Sequence, residues 1–340
     1  MRADTCYYLH ERFSVLKKVE LPLDSSPGNK VQRRGMKRLA AVFSVVVSLL
    51  FSLSPVQAQG VIYAATGSGG IGGELYVVDI ATETQTLIGD ITNANGGGAI
   101  GITGLAFNPM TDTLYGVTVN STTGGNTVVR SLVTIDPLTA VATVIGSLGS
   151  APLGDIAFRA DGTLFGFQGQ NPFDLVTINL STGAVTPVGD SGIAATDNPQ
   201  GGGLEFSSSG ALFLSIHGAD GSLDTVNAAN GAVTIGPTMS GADYEQPGTW
   251  AAFTLDNQGI MYGANSGPFA NGISGPVSVS LATINLVNGA VTALFPLPES
   301  TDAIAWHLTP VPEASTTAML ALGGAGGIAL AAYRRRAKRS

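Results

Sequence analysis

From Val61 to Trp306 the chain is built of short apolar runs, each stopped by Gly, Asn-Pro, Asp-Gly or Asn-Gly. Runs this short, rich in Val, Ile and Thr and closed by turn residues, read as strands rather than helices. One kind of run ends in an aromatic: Ile102–Phe107, Leu153–Phe158, Gly201–Phe206, Thr249–Phe253 and Asp302–Trp306. Those aromatics lie 51, 48, 47 and 53 residues apart. After a short polar turn comes a second run: Thr113–Gly116, Thr163–Gly166, Ala211–Leu214 and Ile260–Gly263, with Val61–Ala64 as a fifth copy. A third is Leu75–Ile80, Leu132–Asp136, Leu175–Asn179, Leu223–Asn227 and Leu281–Asn285, and a fourth follows each of these. Between third and fourth runs sit hairpin signals, Thr182-Gly183, Asn230-Gly231 and Asn288-Gly289. Asp79, Asp136, Asn179, Asn227 and Asn285 recur just before the hairpin, where a short acceptor side chain bonds the next backbone amides and fixes the turn.

Four short strands at a period near fifty are the sequence form of a β-propeller blade. The chain enters at a second strand, Val61–Ala64, and leaves after a first strand, Asp302–Trp306, so the two ends complete one shared blade. Such a junction leaves no free edge. The expected fold is therefore all-β: a five-bladed β-propeller of four-stranded blades over residues 59–308, its ring closed by the N- and C-terminal strands. Inserts near Gly67–Gly73, Ser121–Asn126 and Pro268–Pro276 are loops or hide extra strands. A tandem array of open β-sandwiches is the alternative architecture.

Charge narrows the function. Between Gln59 and Val311 there are 19 Asp or Glu against Arg130 and Arg159, a net of −17, and no Lys. That segment repels a phosphate backbone, which excludes nucleic acid as a main partner. The other basic residues sit at the ends. Lys37 and Arg38 precede an apolar run, Leu39–Leu53, and Val56-Gln57-Ala58 places small residues at −3 and −1. Residues 36–58 thus read as a secretory signal peptide cut after Ala58. Residues 1–35, with the single cysteine Cys6, form a mis-annotated extension ahead of a start at Met36, or else an unusually long leader. Either way the exported part has no cysteine, so thiol catalysis and cysteine-ligated zinc are closed off.

At the other end, the linker 309–315 leads into an uncharged stretch, and the expectation is a transmembrane helix over 316–333. The tail 334–340 carries Arg334, Arg335, Arg336, Lys338 and Arg339, a cluster that stays cytoplasmic. Val311-Pro312-Glu313, the apolar stretch and the Arg-rich end together resemble the PEP-CTERM sorting signal of Gram-negative bacteria that make extracellular polysaccharide, with Ala314 where the second Pro of the motif stands. The alternative is an ordinary single-pass anchor. The resemblance covers only about the last thirty residues. It implies an exosortase-type membrane protease as partner, cleavage near Pro312-Glu313, passage through the inner membrane, and delivery to the cell surface or extracellular matrix.

Candidate chemistry is sparse. His217 and His307 lie in different strand types and show no metal-ligand spacing, and no GxSxG elbow occurs. Asp155 and Asp302 stand near the start of first strands, which line the central channel of a propeller. Paired there, with Glu205 or Asp243 nearby, they would act as acid and base in glycan hydrolysis or elimination, or hold calcium. The other copies offer Gly104, Gly203 or Ala251, so the plain alternative is that both Asp cap turns or bind amides. Aromatics Phe173, Tyr244, Trp250 and Phe269 fall in or near loops where a sugar ring can stack. The leading expectation is a non-enzymatic surface or matrix protein that binds extracellular polysaccharide or another surface protein, without a cofactor. The alternative is a surface hydrolase or lyase working through Asp155 and Asp302 with calcium.

Overall fold

The computed structural model describes residues 60–67, 73–94, 98–119, 121–123, 126–149, 153–169, 174–193, 202–216, 221–241, 250–265 and 278–308. The expected leader, sorting motif, transmembrane helix and basic tail lie outside these residues, as do His217, Asp243, Phe173, Tyr244 and Phe269. Among the described residues every regular element is a strand, and no helix is long and apolar enough to cross a membrane.

The chain enters with β1 (Gly60–Thr66), β2 (Glu74–Asp79) and β3 (Thr84–Asp90). The second blade adds β4 (Thr92–Asn93), β5 (Ile102–Phe107), β6 (Leu114–Thr118), β7 (Ser121–Thr123), β8 (Asn126–Val128), β9 (Ser131–Ile135) and β10 (Val141–Ser147). The third holds β11 (Leu153–Phe158), β12 (Leu164–Gln168), β13 (Asp174–Ile178) and β14 (Val185–Asp190), and the fourth β15 (Leu204–Phe206), β16 (Leu212–Leu214), β17 (Asp224–Val226) and β18 (Val233–Thr234). The fifth holds β19 (Trp250–Leu255), β20 (Met261–Asn265), β21 (Val279–Ile284) and β22 (Val291–Leu297), after which β23 (Thr301–Leu308) returns to the first blade. The sheets are β23-β1-β2-β3, β5-β6-β9-β10 with β4 added outside β10, β11 to β14, β15 to β18, and β19 to β22. This is a five-bladed propeller of four-stranded blades. β1 pairs antiparallel with β23 from Gly60↔Leu308 to Thr66↔Thr301, so the ends of the ring close it. The insert at Ser121–Asn126 does hide strands, the small hairpin β7–β8.

No single core holds the ring. Five apolar slabs do, one between each pair of neighbouring blades. In β1, Val61, Tyr63 and Ala65 face the second blade while Ile62 and Ala64 face the fifth. A strand covered on both faces is why these runs read as continuously apolar rather than alternating. The recurrent aromatics belong to the same packing. Tyr63 meets Phe107, Tyr115 meets Phe158, and Phe165 meets Phe206, each pair edge-on at 5.4 Å between ring centres, so the second strand of one blade grips the first strand of the next.

The fifth blade corrects the sequence alignment. Phe107, Phe158, Phe206 and Trp306 pair with Leu114, Leu164, Leu212 and Ile62, but the partner of the equivalent Met261 is Leu255, not Phe253. The run Thr249–Phe253 thus sits two residues out of step with the other aromatic-ended runs, a slip that keeps side chains on their proper faces and so leaves no trace in the apolar pattern. Phe253 instead lies over Gly203, where an added Cβ would stand 2.4 Å from its ring. Trp250, expected near a loop, is fully buried 5.6 Å from Phe253 in the slab between blades four and five.

Connections sort by face. Those joining first to second and third to fourth strands have four to six residues, and the described Asp79, Asp136, Asn179, Asn227 and Asn285 each accept an amide two residues on at 2.8–2.9 Å. On the opposite face, connections range from three residues (β22 to β23) to fifteen (β18 to β19). At the hairpin tips the backbone turns left-handed at Gly183, Gly231 and Gly289, and also at Glu83 and Ala140. Gly183 rests on the backbone of the preceding blade, where a Cβ would come within 2.5 Å of the Gly146 carbonyl.

Candidate functional site

An innermost strand pairs on one edge only. Its other edge faces the channel, where amides lack a ladder partner and need acceptors from side chains. Asp155 supplies them. Its side chain is fully buried, and Oδ1 accepts the amide of Ile156 at 2.9 Å while Oδ2 accepts those of Leu204 and Phe253, each at 3.0 Å. By register these amides occupy one equivalent position in blades three, four and five. One carboxyl thus ties three blades across the channel. Burial pushes its pKa well above the ordinary carboxylate value, the three amides pull the other way, and Glu205 adds to the rise.

Two residues further along the strands the pattern repeats. Glu205 Oε1 accepts the amide of Phe206 at 2.8 Å, and the Leu255 amide and Thr254 hydroxyl also act on its carboxyl. Thr254 Oγ1 in turn accepts the amide of Trp306 at 2.8 Å. Burial outweighs these bonds and raises the Glu205 pKa to about 8. At this level the other innermost strands carry Ala106, Ala157, Thr254 and Ala305, all small, so Glu205 is the one long side chain there. The space left by the small residues opens as a cavity of about 540 Å³ on the short-turn face. Its walls include Phe107, Phe158, Leu255 and Trp306, with Glu205, Asp112 and His307 as its ionisable groups.

Asp112 and His307 come from adjacent blades. His307 Nε2 lies 2.8 Å from Asp112 Oδ1, its ring stands 4.2 Å from that of Phe107, and its Nδ1 is buried without a partner among the described residues. Asp112 reaches it from a left-handed backbone, φ 57°, at the turn position where Gly162, Gly210 and Gly259 stand in other blades with φ of 84–85°. The sequence sets His307 outside any metal-ligand spacing and does not pair it with Asp112. The available signal was a turn whose expected glycine is replaced by a carboxylate.

Asp302 stands elsewhere. In β23 it is the extra residue of a bulge, between Thr301↔Thr66 and Ala303↔Ala65, near the opposite end of the channel. No hydrogen bond or ion pair to it is found among the described residues, and burial alone raises its pKa to about 7. Asp155 aligns with Ala303, not with Asp302, so the two Asp occupy different levels and neither acts on the charge of the other. Among the described residues no group of three or more His, Cys, Asp or Glu is arranged to hold a metal ion. Asp161 and Asp256, the acidic turn residues, accept backbone amides of their own turns.

No protein-family description matches the sequence, and no curated protein matches it as a relative. Among solved structures, a protein of unknown function from Bacteroides thetaiotaomicron is 14% identical with a TM-score of 0.41, covering 70% of this chain and 58% of its own. TolB from Acinetobacter baumannii is 16% identical with a TM-score of 0.42, covering 81% of this chain and 61% of its own. A periplasmic gluconolactonase of Pseudomonas aeruginosa is 13% identical with a TM-score of 0.43, covering 74% and 99%. This chain therefore spans about three-fifths of the first and second of these. At such identities and scores none of the likenesses bears on what this chain binds.

Proposed function

We propose that this chain is an exported, surface-anchored binding protein whose propeller holds extracellular glycan without turning it over. The leader ending at Ala58 and the tail around Val311-Pro312-Glu313 supply the export and sorting, the latter through an exosortase-type protease. The single observation that favours binding over catalysis is the state of Asp155. A carboxyl sealed in the channel with three amides on it reaches no substrate, and no charge of a second carboxylate acts on Asp302 among the described residues.

The test is to incubate the full chain with a panel of extracellular polysaccharides, with and without EDTA, and to score both retention and new reducing ends. Retention without reducing ends is the expected result, and its loss in EDTA would add calcium to the site. A second reading, a glycan hydrolase or lyase, has one observation behind it. Glu205, protonated near neutrality and open to a cavity, fits a general acid. New reducing ends that vanish in Glu205→Gln would replace the first reading with this one.

A further inference from the structure

The cavity at the channel mouth has a one-sided charge. Of its 14 described lining residues two are carboxylic, one is His307 and none is Lys or Arg. The chain from Gln59 to Val311 carries a net of −17 besides. A uronate, sulfate or phosphate entering here would meet the field of an acidic chain with no Lys or Arg among the described lining residues, whereas a cation is drawn in. Trp306, Phe107 and Phe158 line the same space, and aromatic walls beside carboxylates suit a positively charged nitrogen on a body with an apolar face.

We propose that this cavity is a binding site for an ammonium group carried by an amino sugar, recognised by the Glu205 and Asp112 carboxyls with the sugar ring against Trp306. The inference rests on the glycan-binding reading and names its ligand class. Two features of the site are built for a cation. Asp112 stands where three other blades use glycine and so brings a carboxyl to the cavity wall. One of its oxygens meets His307, and the side chain is otherwise 78% exposed. Glu205, deeper in, has three hydrogen-bonding partners where a carboxylate has room for about four. Its raised pKa leaves it neutral in the empty cavity near pH 7, so an ammonium beside it restores the carboxylate and expels the proton.

Calorimetry on the full chain at pH 7, with glucosamine, N-acetylglucosamine and glucose as probes in buffers of different ionisation enthalpy, tests this. Glucosamine is expected to bind at least tenfold more tightly than the other two and to show a net proton release. Glu205→Gln is expected to abolish the proton release and weaken glucosamine at least tenfold. Leu308→Arg, which sets a cation at the rim from a side chain 39% exposed, is expected to do so without touching the interior. Equal binding of glucose and glucosamine would overturn the amino-sugar assignment while leaving glycan binding in place, and so would glucosamine binding that Leu308→Arg does not weaken. Absence of glucosamine binding overturns the assignment, and retention of neutral polysaccharide in the same preparation would show that glycan binding survives it. Cleavage of the polysaccharides would overturn the binding reading itself.

Discussion

Asp155 is the residue on which most of the ring converges, and its chemistry sets two expectations. Asp155→Ala leaves three buried amides without acceptors, at about 1–3 kcal/mol each, so a large drop in thermal stability or failure to fold is expected. A variant that melts like the parent would show the amides to be satisfied otherwise. The second expectation concerns pH. Glu205 and Asp302, with pKa values raised to about 8 and 7, bind their protons more tightly folded than unfolded. The stability they contribute is full below about pH 4 and is lost as pH rises through 7 and 8. Melting temperature should therefore fall between pH 5 and pH 8.5, and Asp302→Asn should flatten the fall. A melting temperature that climbs across that range in the parent would contradict the burial of these groups.

At the scale of strands and turns, repetition made the blades legible. Aromatic-ended runs, Asx residues before each hairpin and the split first blade all follow from local chemistry, and all recur in the sequence. The channel was less legible, because its acceptors depend on which edge of a strand faces the axis. Asp155 shows no pattern that sets it apart from a turn residue until Leu204 and Phe253 are seen beside it. Phe253 misled for a related reason: a two-residue slip preserves the alternation of faces, and only pairing with Gly263 rather than Met261 reveals it. The hairpin tips offer a matched comparison. Gly183→Ala and Gly210→Ala both place a side chain on left-handed backbone, but nothing lies within 4 Å of the second, whereas the first meets the Gly146 carbonyl. Gly210→Ala is expected to cost about 1–2 kcal/mol and Gly183→Ala clearly more, by chemical denaturation. Equal costs would mean that the blades part at that contact. Glu83→Gly, at an equivalent tip, is expected to stabilise by up to about 1 kcal/mol.

For the whole molecule, the decisive device is the shared blade. Deleting Thr301–Leu308 strips β1 of its partner on the channel side and opens the ring, so loss of a single cooperative melting transition and association through the bared edge are expected in calorimetry and light scattering. A sharp, monomeric transition would show that the remaining strands close without it. Delivery is tested separately: Pro312→Ala with Glu313→Gln should hold the chain in the membrane fraction, and undiminished release would remove the sorting reading. The same shared blade also decides how the molecule bears load. Gly60 and Leu308 are opposite one another at the end of the β1–β23 ladder. Pulling these two ends apart unzips the rungs singly, with small force. A pull on Leu308 alone, along β23, shears every rung at once. A chain tethered beyond Leu308 and freed of its leader would thus be strained in its strong direction, while one held by both ends would open like a seam.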